Sequence, residues 1–242
     1  MHVISASRRT DIPALYSEWW MGRLKAGYCH TLNPFGGQVY RVSLAPEDCL
    51  AIFFCTRDPS PLEQHLDWLD EEGYRYYFHV TINGYPPVLE PRSPSVNVVL
   101  EAFHRLSARL SPDLVMWRYD PIVLSSITPE DYHLRSFERL SRELEGLTHR
   151  CYFSFVHPYV KTRRRLLEVA RSCCTCGLDE VRERLVSSLA GIASSRGIAM
   201  HSCCEPDFVK GSIRRASCID PGIVRRLSGN PTLALPQAPS RP

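Results

Sequence analysis

No stretch of the chain approaches the roughly 18 apolar residues that a membrane span requires. Its start, MHVISASRRT, also lacks the basic cluster and apolar run of a secretory signal. The expected setting is therefore cytoplasmic, without membrane contact. Charge of one sign is scarce as well: 29 Lys and Arg face 26 Asp and Glu, leaving a net charge of +3. That is too little to argue for nucleic-acid binding by itself. Neither a Gly-rich dinucleotide fingerprint nor a phosphate-binding P-loop is present, which counts against a Rossmann or P-loop protein. The H-x-H and H-E-x-x-H spacings of metal sites are missing, and so is any C-x3-C-x2-C triad.

What is present is an ordinary globular composition. The 242 residues are 44% hydrophobic and 23% charged, enough to bury a substantial core. Short apolar runs rich in β-branched or aromatic residues lie at His2–Ser7, Ala51–Thr56, Tyr76–Ile82, Leu114–Tyr119, Cys151–Val156 and Gly197–Ser202. Each has the length of a buried strand. Segments of helical period separate them. Ile12, Leu15, Tyr16, Trp19, Trp20 and Leu24 fall on one helical face, as do Val99, Phe103, Leu106 and Leu110, and then Phe137, Leu140 and Leu144. Ser60-Pro61-Leu62-Glu63 and Thr128-Pro129-Glu130-Asp131 read as capped helix starts, and Asp179 and Asp220 as further caps. A small hairpin, Tyr28–Thr31 with Val39–Leu44, is inserted after the first helix.

Strand and helix thus alternate about six times, the pattern of a parallel sheet with crossover helices. The expected fold is α/β: a (β/α) barrel-like arrangement, complete or open, with about six parallel strands and helices outside. Residues 1–229 form one domain on this reading, and residues 230–242, rich in proline, a loose tail.

In barrel-like α/β folds the site forms at the C-terminal ends of the strands. Here those ends are polar. They carry Arg8, Arg9 and Asp11; Thr56; Thr81; Arg118 and Asp120; Ser154 and Lys161; and Glu205. Arg118 shares a face with Asp120, and His201 with Cys203 and Glu205, because alternate strand residues point the same way. Arginines with helix caps suit a carboxylate or phosphate, so a small anionic ligand is the expected partner. An ion-pair network closing the mouth of the sheet fits the same residues.

The sequence holds ten cysteines, reduced in the expected compartment. Cys29, Cys49, Cys55 and Cys151 read as small core residues. Cys173 and Cys176 have C-x-x-C spacing, with Cys174 between them. Cys203 or Cys204 and Cys218 are available as further ligands, a set that suits zinc or an iron–sulfur cluster. For Cys173, Cys174 and Cys176 incidental thiols are the preferred reading.

The segments ISASRRTDIPALYSEWWMGRLKAGYC, NPF, RVSLAPED, FFCTRDPSPL, YYFHVTINGY, WRYDPIVL, YHLRSFERL and SFVHPYVKTRR resemble, in collinear order, the bacterial family called domain of unknown function 1848. HSCCEPD and ASCID resemble its later part. The resemblance implies a (β/α) barrel whose cysteine-rich C-terminal segment carries a C-x3-C-x2-C-type motif, similar to radical S-adenosylmethionine (radical-SAM) proteins. An iron–sulfur cluster and S-adenosylmethionine are the cofactors it implies for the intact family. Cys203 and Cys218 match family cysteines and are the implied metal candidates. This chain departs from the pattern after Leu227-Ser228-Gly229, reading NPTLALPQAPSRP without a cysteine. The expectation is a radical-SAM-like scaffold whose cluster-binding end is missing, by truncation or frameshift or because this member works without the cluster, and which binds no cofactor alone.

Two rival readings accompany it. A divalent-metal hydrolase or isomerase would use His79, Asp120, His157, His201 and Glu205 as ligands. A non-catalytic module would bind nucleic acid or a partner through the basic final third, where Arg163, Arg164, Arg165, Arg214, Arg215, Arg225 and Arg226 lie.

Overall fold

A computed structural model describes residues 1–7, 9–33, 36–157 and 179–235. Among these residues seven strands form one parallel sheet: β1 (His2–Ser5), β4 (Cys49–Thr56), β5 (Tyr76–Thr81), β6 (Val115–Ile122), β7 (Arg150–Phe155), β8 (Ala199–Ser202) and β9 (Arg214–Arg215), in that spatial order. The inserted β2 (Tyr28–Leu32) and β3 (Val39–Ser43) form a separate antiparallel hairpin. Runs such as CLAIFFCT in β4 are apolar almost throughout because a parallel strand is covered on both faces.

The helices are α1 (Ile12–Leu15), α2 (Ser17–Lys25), α3 (Ser60–Glu63), α4 (Leu66–Glu71), α5 (Val96–Leu110), α6 (Glu130–Glu143), α7 (Asp179–Ser195) and α8 (Pro221–Ser228). Each new strand of the sheet is added beside the preceding one. Right-handed crossovers then deliver the connecting helices to one face. The packing agrees. Phe54, Phe78, Trp117 and Phe153 share a core with Trp20, Leu62, Phe103, Phe137 and Leu189 from the helices. The opposite face carries Phe53, Tyr77, Met116 and Tyr152, covered by Ile223 and Val224 of α8.

Three expectations change. The sheet has seven strands, not about six, and it is open, with β1 and β9 at its edges. The seventh, β9, is two exposed arginines, so no apolar run announced it. The first helical face is also divided. The chain kinks at Tyr16, which has φ −139°, between α1 and α2. Trp20, Met21 and Leu24 are buried, whereas Leu15, Tyr16 and Trp19 are exposed. Finally, Ser60 and Thr128 are not the caps: Pro59 and Pro129 occupy those positions. Thr128 instead donates its hydroxyl to Val123 O at 2.5 Å. Asp220 does cap its helix, accepting from the amides of Gly222 and Ile223.

Candidate functional site

Five strand ends, β4 to β8, and the turn before α8 bring their polar residues to one rim. At its centre Arg118 of β6 is buried, its side chain 10% exposed and that of its partner Asp120 16%. Arg118 Nε donates to Asp120 Oδ2 at 3.1 Å and Nη2 donates to the same oxygen. Ser154 of β7 donates its hydroxyl to the other carboxylate oxygen. Asn83, just past β5, fixes the Asp120 backbone: its Oδ1 accepts the Asp120 amide at 2.8 Å and its Nδ2 donates to the Asp120 carbonyl at 3.3 Å. Burial works against the Arg118 charge, but the Asp120 carboxylate outweighs it and keeps the guanidinium firmly protonated.

Nη1 is the Arg118 nitrogen that this pair leaves over. It faces Cys218 Sγ at 4.0 Å, a long contact. Cys218, in the turn before α8, is exposed, and Cys203, at the end of β8, is buried. Each thiol lies within electrostatic reach of the other and of Arg118. Cys203 and the Arg118 charge draw the Cys218 thiol toward the thiolate, while Cys218 and burial raise the Cys203 thiol. The turn is fixed locally, since Tyr77 donates its hydroxyl to the Cys218 carbonyl at 3.1 Å and Asp220 caps the helix that follows. Cys55, read as a core residue, lies within electrostatic reach of Arg118, Asp120, Cys218 and Asp11. Burial pushes its thiol up to about 11, partly offset by Arg118.

Beside this centre a cavity of about 300 Å³ opens between the end of β5, the 84–95 loop and α5. Arg57, Thr81, Asn83 and Glu90 supply its main polar lining. Arg57 Nη1 lies 2.7 Å from Glu90 Oε1, and Asn83 Nδ2 also donates to Glu90 at 3.3 Å, linking the cavity to Asp120. Arg57, Asn83 and Glu90 were not among the expected ligand residues. Arg57 and Asn83 do stand at strand ends in the sequence, but Glu90 has no local signal.

The other expected residues divide. Asp11 caps α1, accepting from Ala14 N at 3.1 Å, and its second oxygen accepts from Arg57 N at 2.7 Å. It is a clamp between the first two strand ends. Asp11→Ala is expected to lower stability by about 1–2 kcal/mol, the worth of a lost cap, measured by urea unfolding. Thr56 is buried in a turn, exchanging bonds with the Asp58 backbone. Arg9 turns away, donating to Leu32 O at 2.6 Å. Glu205 accepts from Phe155 N at 2.6 Å and pairs with Arg182, whose guanidinium lies 4.2 Å over the Phe155 ring. Arg8 and Lys161 lie outside the described residues, as do Cys173, Cys174, Cys176 and Arg163 to Arg165.

A [4Fe–4S] cluster of the radical-SAM type needs three thiolates. Cys203 and Cys204 Sγ are 3.8 Å apart, yet among the described residues no three His, Cys, Asp or Glu are grouped to hold a metal ion. These residues therefore do not complete a cluster site, and no chemical step is derived through one. The divalent-metal set does not converge either. His79 is fully buried among Phe53, Tyr77 and Tyr152, and His201 stacks on Tyr152. Only His157 and Glu205 approach each other, at 3.7 Å. Of the basic final third, Arg226 is paired with Asp113 and Arg225 donates to Leu233 O. Among the described residues, no helix is long and apolar enough to cross a membrane.

An open parallel α/β sheet with its crossover helices on one face, α8 on the other and a charged rim at the strand C-termini is a layout in which ligands bind at that rim. The chain belongs to the family described as domain of unknown function (DUF1848), whose model matches residues 3–241. No curated protein matches it.

Proposed function

We propose that this chain is a ligand-holding enzyme scaffold that binds a small carboxylate- or phosphate-bearing molecule against Arg118. The observation that carries the reading is a buried guanidinium at the strand ends with one nitrogen left over. Nε and Nη2 are committed to Asp120, while among the described residues Nη1 meets only the long Cys218 contact. Burial strengthens whatever charge-assisted bond Nη1 makes, because the local dielectric is low. The 300 Å³ cavity beside it, with Arg57 on its wall, gives room for the rest of a metabolite-sized molecule.

The finer reading is a radical-SAM-like barrel. It is supported by the open sheet of consecutively ordered parallel strands and by the family resemblance. In that class S-adenosylmethionine supplies the radical chemistry and the protein supplies binding and orientation. Its carboxylate is an anion of the kind Arg118 would hold.

The test is thermal unfolding of the full chain with phosphate, pyrophosphate, mono- and dicarboxylates and S-adenosylmethionine. At least one is expected to raise the Tm of the wild type, with the rise lost in Arg118→Lys. Lysine keeps a charge beside Asp120 but lacks the guanidinium fork. No rise with any anion, or an equal rise in both proteins, overturns the reading.

A further inference from the structure

We infer that the molecule held against Arg118 is a free α-amino acid with an apolar side chain. This names the ligand class of the anion site proposed above and rests on that reading for the Arg118 contact. Beside the leftover Arg118 nitrogen, the cavity offers a buried hydroxyl and a carboxylate oxygen with bonding capacity in hand. Together the three match a carboxylate and an ammonium on one molecule.

Thr81 lines the cavity and is only 9% exposed. Its hydroxyl makes no hydrogen bond among the described residues, whereas the other hydroxyls of the lining are committed. Tyr85 donates to Pro121 O and accepts from Val123 N, both at 2.8 Å. Ser93 donates to Glu90, and Ser95 accepts from Val98 N as the cap of α5. A buried hydroxyl without a partner is destabilising, and a ligand oxygen would supply the missing bond. Thr81 is the register partner of Arg118 on the neighbouring strand. Such partners point to the same face from strands about 4.8 Å apart. A carboxylate can therefore accept one bond from Arg118 Nη1 and one from the Thr81 hydroxyl.

Glu90 is the counterpart for the ammonium. Its Oε1 accepts from Arg57 Nη1 at 2.7 Å and from Asn83 Nδ2 at 3.3 Å. Among the described residues, Oε2 meets only the Ser93 hydroxyl, at 3.3 Å. Asn83 Nδ2 also donates to the Asp120 carbonyl, so one side chain separates Glu90 from the Arg118–Asp120 pair.

Charge balance decides between a bare anion and a zwitterion. Arg57 and Glu90 are the charged residues of the described lining, and they neutralise each other, as Arg118 and Asp120 do. A bare anion would add an uncompensated charge to a partly buried site, which is costly. An ammonium on the same molecule, bonded to Glu90 Oε2, restores neutrality. The remaining wall is apolar, with Ile82, Pro91, Val96, Val99 and the ring of Tyr85. That wall would bury an aliphatic side chain. At about 300 Å³ the cavity suits a small molecule, since ligand sites run from roughly 300 to 1,000 Å³.

The experiment follows the full chain by thermal unfolding and calorimetric titration with leucine, methionine, N-acetylleucine, isocaproate, isoamylamine and S-adenosylmethionine. Leucine or methionine should raise the Tm. The better of them should bind roughly 10- to 100-fold more tightly than N-acetylleucine and isocaproate, which lack the ammonium, or isoamylamine, which lacks the carboxylate. This comparison uses the wild type alone and needs no variant to fold. Glu90→Gln should weaken the amino acid by a similar factor and leave isocaproate unweakened, whereas Thr81→Val should weaken both. Isocaproate binding as tightly as leucine overturns the amino-acid class and leaves the Arg118 reading standing. An amino acid lost in Glu90→Gln but undiminished in Arg118→Lys overturns the Arg118 reading and keeps the class. A rise in Tm with S-adenosylmethionine alone overturns the free amino acid as the ligand. No binding by any of the six overturns the inference, and a phosphate-dependent rise lost in Arg118→Lys would then leave the anion reading standing.

Discussion

Arg118→Met is expected to destabilise the protein by about 3–5 kcal/mol, because it leaves the Asp120 carboxylate buried without its counter-charge. Asp120 would retain the Ser154 hydroxyl and the Asn83 contacts to its backbone. Neither of these neutral groups can replace a cation in a low-dielectric setting. The double variant Arg118→Met/Asp120→Asn removes the orphaned charge and should recover much of the loss. Urea unfolding of the four proteins in this double-mutant cycle measures the coupling. Losses that simply add would mean that solvent, not Arg118, neutralises Asp120. The same single variant should abolish the anion-dependent rise in Tm, which separates binding from stability once the double variant folds.

Acid should destabilise the fold well above the range of ordinary carboxylates. His133 is buried in α6 and bonded on both sides. Its Nε2 lies 3.0 Å from the Val123 carbonyl, which only accepts, so Nδ1 accepts from the Tyr119 hydroxyl at 2.9 Å. Burial lowers its pKa from 6.5 to about 4, against the pull of that carbonyl. His79 is lowered too, by complete burial and by the charges of Arg118, Arg150 and His201, and among the described residues its two nitrogens have no hydrogen-bond partner. Each is neutral when folded and takes up a proton more readily when unfolded. Their contribution is complete above pH 6.5, the value at which an unperturbed histidine titrates, and is lost as pH falls toward the folded pKa.

The slope is about 1.4 kcal/mol per pH unit for each histidine, or about 3 kcal/mol for His133 across its window. Urea unfolding at pH 7, 6 and 5 should show the wild type losing stability faster than His133→Gln or His79→Phe. At pH 7 His79→Phe should be no less stable than wild type, because phenylalanine removes two unsatisfied nitrogens from an aromatic surround. Parallel pH profiles for all three proteins would show that the imidazoles are not responsible.

The sheet was legible because its cause is local. A strand covered on both faces must be apolar throughout, and β4, β5 and β7 announce themselves in that way. The inserted hairpin was equally visible, as a pair of short β-rich runs around Gly36-Gly37. The seventh strand was not, because Arg214 and Arg215 are an exposed edge held by backbone bonds alone, which leave no trace in side-chain type. The helix caps were half legible. Asp220 caps its helix as its place in the sequence reads, and Asp11, read as a ligand residue, caps another, whereas Thr128 spends its hydroxyl on a carbonyl five residues back in the same loop.

The rim divides in the same manner. Arg118 and Asp120 are two residues apart on one strand, so strand period alone placed their side chains together. Ser154 and Asp120 are 34 residues apart, and Arg118 and Cys218 are 100 apart. Those contacts depend on strand order and register, as does the placing of Cys55 within reach of the same charges. Periodicity and polarity settled that there is a parallel sheet and that its C-terminal ends are charged, since both follow from what each segment can bury. Which charges neutralise one another, which arginine nitrogen is left over, and which thiol faces it were decided by tertiary structure. Electrostatic partners are chosen by distance in space, and distance in space is set by the packing of the whole chain.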